Sequence, residues 1–460
     1  MTKNFVSPTR PIERIHPALD FTEDTAFVGV GLPPATGDIF NSQAIVMTSK
    51  GRGIPWNDVS FLENGIVPVT NSMLSNNKLF NGLLFNGQVF LEPRWSLESI
   101  RDYQSGAESP ATAEIFQNVR SYLQKYLGLR HPVEYDLVSL WIMGTYLKPL
   151  FHCYPILFFN APYESGKSRC LEVVSQLSLN GKWFGEITPA AFRRYAESKI
   201  TFCLDELKDV GLKNDSPLIS ILLNAYNGSE AAISDPIKKG GWQPVIFKVT
   251  SPVSMGNIQD IKNEALKSRT IQIRTEYASR YKNIRLPKAS HCEPARIRDG
   301  LYCWFLGNWK SVRDRYQTYP DIPDLGAREM DSYLPLLSIA SLAGPETAGR
   351  LTDYAVAVRE EKRLVKKATD DHLNLLMFLK AELDARGTQG PAETFPVISN
   401  RELADAYGRK NNLRVNYRRF IEMVGELHVL SDIKDRQGSK YLVFNPAEVE
   451  RQLQMMESKS

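Results

Sequence analysis

At 460 residues, with 43% hydrophobic and 23% charged positions, the chain is globular in composition and long enough for about two to four cores, which excludes a disordered or low-complexity protein. Its formal charge of +4 is small for that length, so any nucleic-acid surface must be a local concentration of basic residues. Five scattered cysteines and six dispersed histidines make no zinc or disulfide framework, and neither residues 1–20 nor the Lys148-containing run 137–151 reads as a signal peptide or bilayer span, so a reducing, cytoplasmic setting is expected.

In chain order, the runs AFVGVGL, SQAIVMTS and LLFNGQVFL between Ala26 and Leu91 are separated by Gly, Pro and Asn clusters. They predict a small N-terminal β-rich domain, residues 1–108, with no catalytic constellation of its own. SGAESP at 105–110 reads as a linker. The apolar residues Ile115, Val119, Tyr122, Leu123 and Tyr126 then have helical spacing, and a second helix is expected from about Pro132 to Leu147, giving a helical pair over 109–152.

From Tyr154 to Val174 an apolar run breaks into a small-residue loop and resumes with helical spacing, which reads as strand, phosphate loop and helix. Ala161-x-x-x-x-Gly166-Lys167-Ser168 fits the phosphate-loop pattern with Ala in place of the first Gly. The nucleotide cradle would therefore be Ala161, Pro162, Tyr163, Glu164, Ser165, Gly166, Lys167 and Ser168. Backbone N–H groups and the helix N-terminus favour phosphate there, Lys167 reaches the β- and γ-phosphates, and the Ser168 hydroxyl holds Mg²⁺.

About forty residues on, Ile200 to Glu206 is an apolar, β-branched and aromatic run ending in two carboxylates, the form of a buried parallel strand with chemistry at its C-terminal end. Asp205 is placed to hold Mg²⁺ and Glu206 to orient and activate water. Together the two stretches predict NTP hydrolysis. The AAFRRYAESK helix between them supplies a helix–strand alternation, and its Arg193 and Arg194 read as a solvated pair before an interface one.

Leu218 to Tyr226 is another helix. Beyond it Lys238, Lys239 and Trp242 lie between two β-type segments, the pattern of a hairpin whose basic, aromatic tip suits a DNA backbone and its bases. Val245 to Thr250 reads as a buried strand, which would put Thr250 or Ser251 where a polar group senses the γ-phosphate. Arg269, between a helix-like stretch and a last apolar strand, could face a neighbouring subunit's nucleotide and neutralise transition-state charge there. Amphipathic helices follow in a lid-like region with linker, residues 291–367, where Arg328 could fold back on the γ-phosphate.

Residues 368–460 form a separate unit: three helices, with Ser399 capping the second and Arg414 to Leu427 forming the third, then two β-segments around Arg436-Gln437-Gly438. That is the order of a winged helix-turn-helix domain. Arg414, Arg418 and Arg419 are its candidate DNA contacts, for phosphates or base edges.

With these motifs assembled, the chain resembles the AAA+ ATPases, and within them the MCM-like helicases and replication initiators of mobile genetic elements. The resemblance runs over about Pro132 to Ala340 and, more loosely, the terminal unit. It implies an α/β fold: a P-loop AAA+ core at 153–290, a parallel sheet with helices on both faces, with helical lid, N-terminal β-rich domain and C-terminal winged helix. It implies ATP and Mg²⁺ as cofactors, Lys238 and Lys239 on a hairpin in a central channel, Ser268-Arg269 as the trans-acting finger, and Arg328 as a lid sensor. The implied partners are other copies of the chain in a hexameric ring, single-stranded DNA in the channel, and duplex DNA on the winged helix. The family's sensor Asn is replaced at 250–251, where Asn257 is a nearby alternative, and the zinc-ligand set of true MCM proteins is missing from the N-terminal region. Two other classes fit the motifs: an ATP-switched initiator or loader that does not unwind processively, and a non-catalytic nucleotide-binding scaffold. The paired carboxylates weigh against the scaffold.

Overall fold

The computed structural model describes residues 14–16, 18–32, 44–55, 67–68, 91–160, 165–196, 198–207, 216–228, 230–236, 242–275, 284–369, 371–386, 396–411, 415–436 and 439–459. The chain forms two units, residues 1–355 and 356–460.

In the first unit, β1 (Arg14–Ile15) and β6 (Val67–Pro68) pair in parallel. Strands β2 (Leu19–Phe21), β3 (Ala26–Gly31), β4 (Ala44–Thr48) and β5 (Gly53–Pro55) make an antiparallel meander. The first two of the three expected β-runs are strands; most of the third lies outside the described residues. Ile15, Phe27, Val46 and Ile54 form the small apolar cluster of this region.

The larger sheet has five parallel strands: β7 (Ile156–Asn160), β8 (Lys182–Phe184), β9 (Phe202–Asp205), β12 (Val253–Asn257) and β13 (Thr270–Arg274). Their spatial order is β13-β7-β12-β9-β8. β12, the fourth of these five strands in chain order, is thus inserted between β7, which precedes the expected phosphate loop, and β9, which ends at Asp205. The register pairs Asn257 with Asn160 and Gly256 with Asp205, so three C-terminal strand ends lie side by side. Open parallel sheets bind ligands at such ends. On one side Phe158, Phe192, Phe202, Leu204, Leu222 and Met255 share a buried core. Phe192 of the Pro189–Ala196 helix stacks on Phe202 at 3.8 Å.

One expected strand lies elsewhere. Val245 to Thr250, expected as a buried strand, falls largely in β11 (Trp242–Lys248), which pairs antiparallel with β10 (Glu230–Pro236) as a hairpin separate from the five-stranded sheet. The core strand is β12, Val-Ser-Met-Gly-Asn, which has little of the β-branched signature because the phosphate-loop helix presses on it. A Cβ on Gly256 would lie 3.0 Å from Leu171 Cδ1, so a side chain there would push on the helix Lys167–Leu177.

Helices Thr112–Tyr126 and Pro132–Thr145 form the expected pair, followed after the sheet by Cys292–Thr318, Ala327–Ala343 and Pro345–Thr369. The Asp136 carboxylate, 0% exposed, is held by the Arg120 guanidinium and by Arg350 Nε at 2.9 Å, which joins three of these helices. The C-terminal end of helix Lys167–Leu177 is clamped by two guanidinium groups. Arg94 donates to the carbonyls of Ser175 (2.7 Å), Gln176 (2.7 Å) and Gly181 (2.8 Å), and Arg298 donates to that of Gln176 at 3.1 Å. Tyr146 donates to the Leu177 carbonyl at 2.8 Å. The last turn of a helix leaves carbonyls without partners, and positive charge there also suits the helix dipole.

The second unit contains helix Asp371–Ala385, β14 (Val397–Ser399), helices Asn400–Asn411 and Tyr417–Glu426, β15 (Leu430–Arg436), β16 (Ser439–Phe444) and helix Pro446–Lys459. Its antiparallel sheet has the order β14-β16-β15. The third expected helix starts at Tyr417 and not at Arg414, because the Asn416 side chain accepts from the N–H groups of Arg418 (2.9 Å) and Arg419 (3.4 Å) and caps it there. Leu376, Leu403, Phe420, Val424 and Leu442 belong to its core.

Candidate nucleotide site and its arginine face

Helix Lys167–Leu177 begins at Gly166, whose φ of +87° is a left-handed conformation that glycine adopts without strain. Among the described residues no atom beyond its chain neighbours lies within 4 Å of a Cβ built there, so its backbone conformation is what calls for glycine. The first N–H groups of a helix have no partners within it, the arrangement that favours anions. Ser168, in the first helical turn, is exposed, while Lys167 is 8% exposed. Burial draws the Lys167 ammonium below its usual pKa, and the carboxylates of Asp205 and Glu206 pull it back up. Lysine and both acids therefore share one electrostatic environment.

Glu206 has φ +47°, uncommon for a residue with a side chain, and its N–H donates to the Gly256 carbonyl at 3.1 Å. The turn carries the exposed Glu206 side chain away from the strand that ends at the half-buried Asp205. Such strain concentrates at functional positions. Asn257 closes the neighbouring strand, with its Nδ2 donating to the Leu207 carbonyl at 3.2 Å. Asn160 Nδ2 donates to the carbonyls of Asn257 (3.1 Å) and Ile258 (3.2 Å), and so ties β7 to β12 where both end. Ser165 accepts from Thr275 Oγ1 at 3.2 Å, which moors the loop to the exit of β13.

The structure thus brings together Ser165, Gly166, Lys167, Ser168, Asp205 and Glu206. Ala161, Pro162, Tyr163 and Glu164 lie outside the described residues, as do Lys238, Lys239 and Arg414, and Trp242 is described only as the first residue of β11. Thr250 and Ser251 are not brought to the site. They precede β12, at its opposite end, where Thr250 Oγ1 accepts from Lys199 Nζ and Ser251 Oγ donates to the Ala196 carbonyl at 3.4 Å. The polar residue at the sheet's C-terminal edge is Asn257. Asn160 went unread in the sequence; its place as the last residue before the loop was the available signal.

Arg269 precedes β13, whose register with β7 runs from Thr270 opposite Ile156 to Arg274 opposite Asn160. It therefore lies about 16 Å, five residues of parallel strand, from the edge that carries Lys167. Arg328 was expected to fold back on its own chain's nucleotide. It instead donates to Ser268 Oγ at 3.4 Å, beside Arg269. Burial, then the neighbouring Arg328 charge, lowers the Arg269 pKa. Among the described residues neither arginine has a carboxylate partner within ion-pair distance, and Arg269 Nε is buried with no hydrogen-bond partner. In the second unit Arg418 and Arg419 are exposed on the first turn of helix Tyr417–Glu426, with Arg419 3.3 Å from Glu422.

No protein-family model and no curated protein matches the chain. Among solved structures it is similar to an SCCmec type IV Cch active helicase, at 11% identity and TM-score 0.39, over 81% of this chain and 76% of that one. It is also similar to the apo NrS-1 C-terminal region, at 12% identity and TM-score 0.38, over 89% and 95%. A third similarity is to NtrX from Brucella abortus in complex with ATP, at 13% identity and TM-score 0.20, over 63% and 67%. Among the described residues no helix is long and apolar enough to cross a membrane, and no group of three His, Cys, Asp or Glu side chains could hold a metal ion.

Proposed function

We propose that the protein is an ATP-driven motor on DNA of the MCM-like AAA+ kind, working as a ring, with a hexamer as the expected form. The observation that carries this reading is Lys167, buried at a helix N-terminus, sharing its electrostatic environment with Asp205 and Glu206 at the adjoining strand ends. The donor set fits a magnesium nucleotide: helix N–H groups and Lys167 for phosphate oxygens, with the Ser168 hydroxyl and Asp205 carboxylate for Mg²⁺. When bound, Mg²⁺ neutralises charge on the phosphates.

Glu206 is the water-orienting base. Asn257, at the end of the strand between β7 and β9, takes the sensing role first given to Thr250 or Ser251. Arg269 and Arg328 lie at the other end of the sheet and serve a neighbouring subunit's site, which explains two guanidinium groups without carboxylate partners among the described residues. Hydrolysis at such interfaces moves the β10–β11 hairpin along single-stranded DNA, with Lys238 and Lys239, which lie in the chain between its two strands, as the proposed contacts. The second unit reads as a winged helix with helix Tyr417–Glu426 toward duplex DNA, through Arg418 and Arg419 and, before it, Arg414.

The motor and the initiator switch part at the hairpin. Replacing Lys238 and Lys239 by alanine should leave DNA-free hydrolysis intact and abolish both strand displacement and stimulation by single-stranded DNA. Strand displacement at the wild-type rate by that variant contradicts the motor reading.

A further inference from the structure

We infer that Tyr226 is a positioning residue that holds Arg269 and Arg328 as one unit toward a neighbouring subunit's nucleotide, an inference that rests on the trans-acting reading above. Tyr226 is 4% exposed and is the last residue but one of the helix Pro217–Asn227, which precedes the hairpin strand β10. Its ring lies under the Arg269 guanidinium, with 5.7 Å between them, within cation–π range. Its hydroxyl is 3.1 Å from Ser332 Oγ. Ser332 is four residues beyond Arg328 in helix Ala327–Ala343, hence on the same face one turn along. Arg328 in turn donates to Ser268 Oγ at 3.4 Å, next to Arg269 in the chain.

The contacts close a circuit: ring to Arg269, Ser268 to Arg328, one helical turn to Ser332, and back to the hydroxyl. Arg269 is further fixed by Nη1, which donates to the Ala265 carbonyl at 2.6 Å. The Tyr226 carbonyl accepts from Tyr154 N at 2.8 Å, just before β7. One buried side chain therefore touches Arg269 directly and reaches the helix of Arg328 through Ser332. An arginine acting in trans must arrive oriented, since its own subunit offers it no phosphate, and displacement of such a group by about 1 Å can cost a hundredfold in rate.

The test uses full-length chains mixed before assembly, with ATP hydrolysis as the readout. Lys167→Ala chains lack a working loop and Arg269→Ala chains lack the finger. Their mixture should regain activity where an intact loop meets an intact arginine face. Adding Tyr226→Leu to the Lys167→Ala chain, which supplies that face, should lower the regained activity about tenfold or more. Adding it to the Arg269→Ala chain, which supplies only the loop, should leave the regained activity unchanged. Tyr226→Phe in the face-supplying chain, with the ring kept, should restore the greater part. Equal loss in both arrangements would assign Tyr226 a general folding role and overturn the inference while leaving the trans-acting finger standing. If the first mixture regains nothing, the trans-acting reading fails and the inference falls with it.

Discussion

Replacing Arg94 by methionine tests how the phosphate-loop helix is held. The substitution keeps an unbranched stem against the apolar surroundings and removes the guanidinium, whose side chain is 9% exposed. Three hydrogen bonds are lost, to Ser175, Gln176 and Gly181, but the Gln176 carbonyl keeps Arg298 at 3.1 Å. Two carbonyls are then deprived, and hydrogen bonds to charged donors contribute about 1.5–3 kcal/mol each, so the gross loss is about 3–6 kcal/mol. Relief of the repulsion between Arg94 and Arg298 offsets part of it, leaving about 3 kcal/mol. In a unit of this size about 2 °C of Tm accompanies each kcal/mol, so differential scanning calorimetry should find the first transition lowered by about 6 °C. The arginine sits at the far end of a helix about 16 Å long from the Gly166 turn, so the shift should be the same with and without nucleotide. A shift below about 2 °C would mean that water replaces the guanidinium at no net cost, and would refute the clamp.

Two further substitutions probe the site and the second unit. Asn257→Ala should lower the turnover number about a hundredfold with the Kd for ATP nearly unchanged, as for loss of one preorganised donor; equal effects of Asn257→Ala and Thr250→Ala would return the sensing role to the position first expected. Arg418→Ala in the full chain should weaken duplex DNA binding alike across sequences and make the slope of log K against log salt shallower by about 0.9, the value for one phosphate contact. An unchanged slope removes Arg418 from the DNA surface.

What could be read in advance was local. The strand, loop and helix at Tyr154 to Val174 carry their signal in consecutive residues, and Asp205 follows an apolar run that can only be a buried strand. Strand β12, between β7 and β9, carries no strong local signal because Ser254 and Gly256 have low strand propensity, and Leu171 packs closely over Gly256. The apolar run 245–249 offered a stronger β signal, but most of it pairs within the hairpin. Helix Pro446–Lys459 and strand β14 went unread: the helix places Val449 and Leu453 in or against the core, and β14 is three residues long. The arginine face was legible only in part. Arg269 stood out beside a strand, but its ties to Tyr226 and to Arg328 join residues 43 and 59 positions apart, which no local pattern encodes.

The central claim is that Lys167, Asp205 and Glu206 form a hydrolytic site driven by DNA. Its most direct test is ATP hydrolysis by the purified chain with and without single-stranded DNA, beside Glu206→Gln. The expected result is a rate raised by DNA and lowered at least about a hundredfold by the substitution, with ATP still bound by both proteins. Binding of ATP by both without hydrolysis by either would contradict it and leave a nucleotide-binding scaffold.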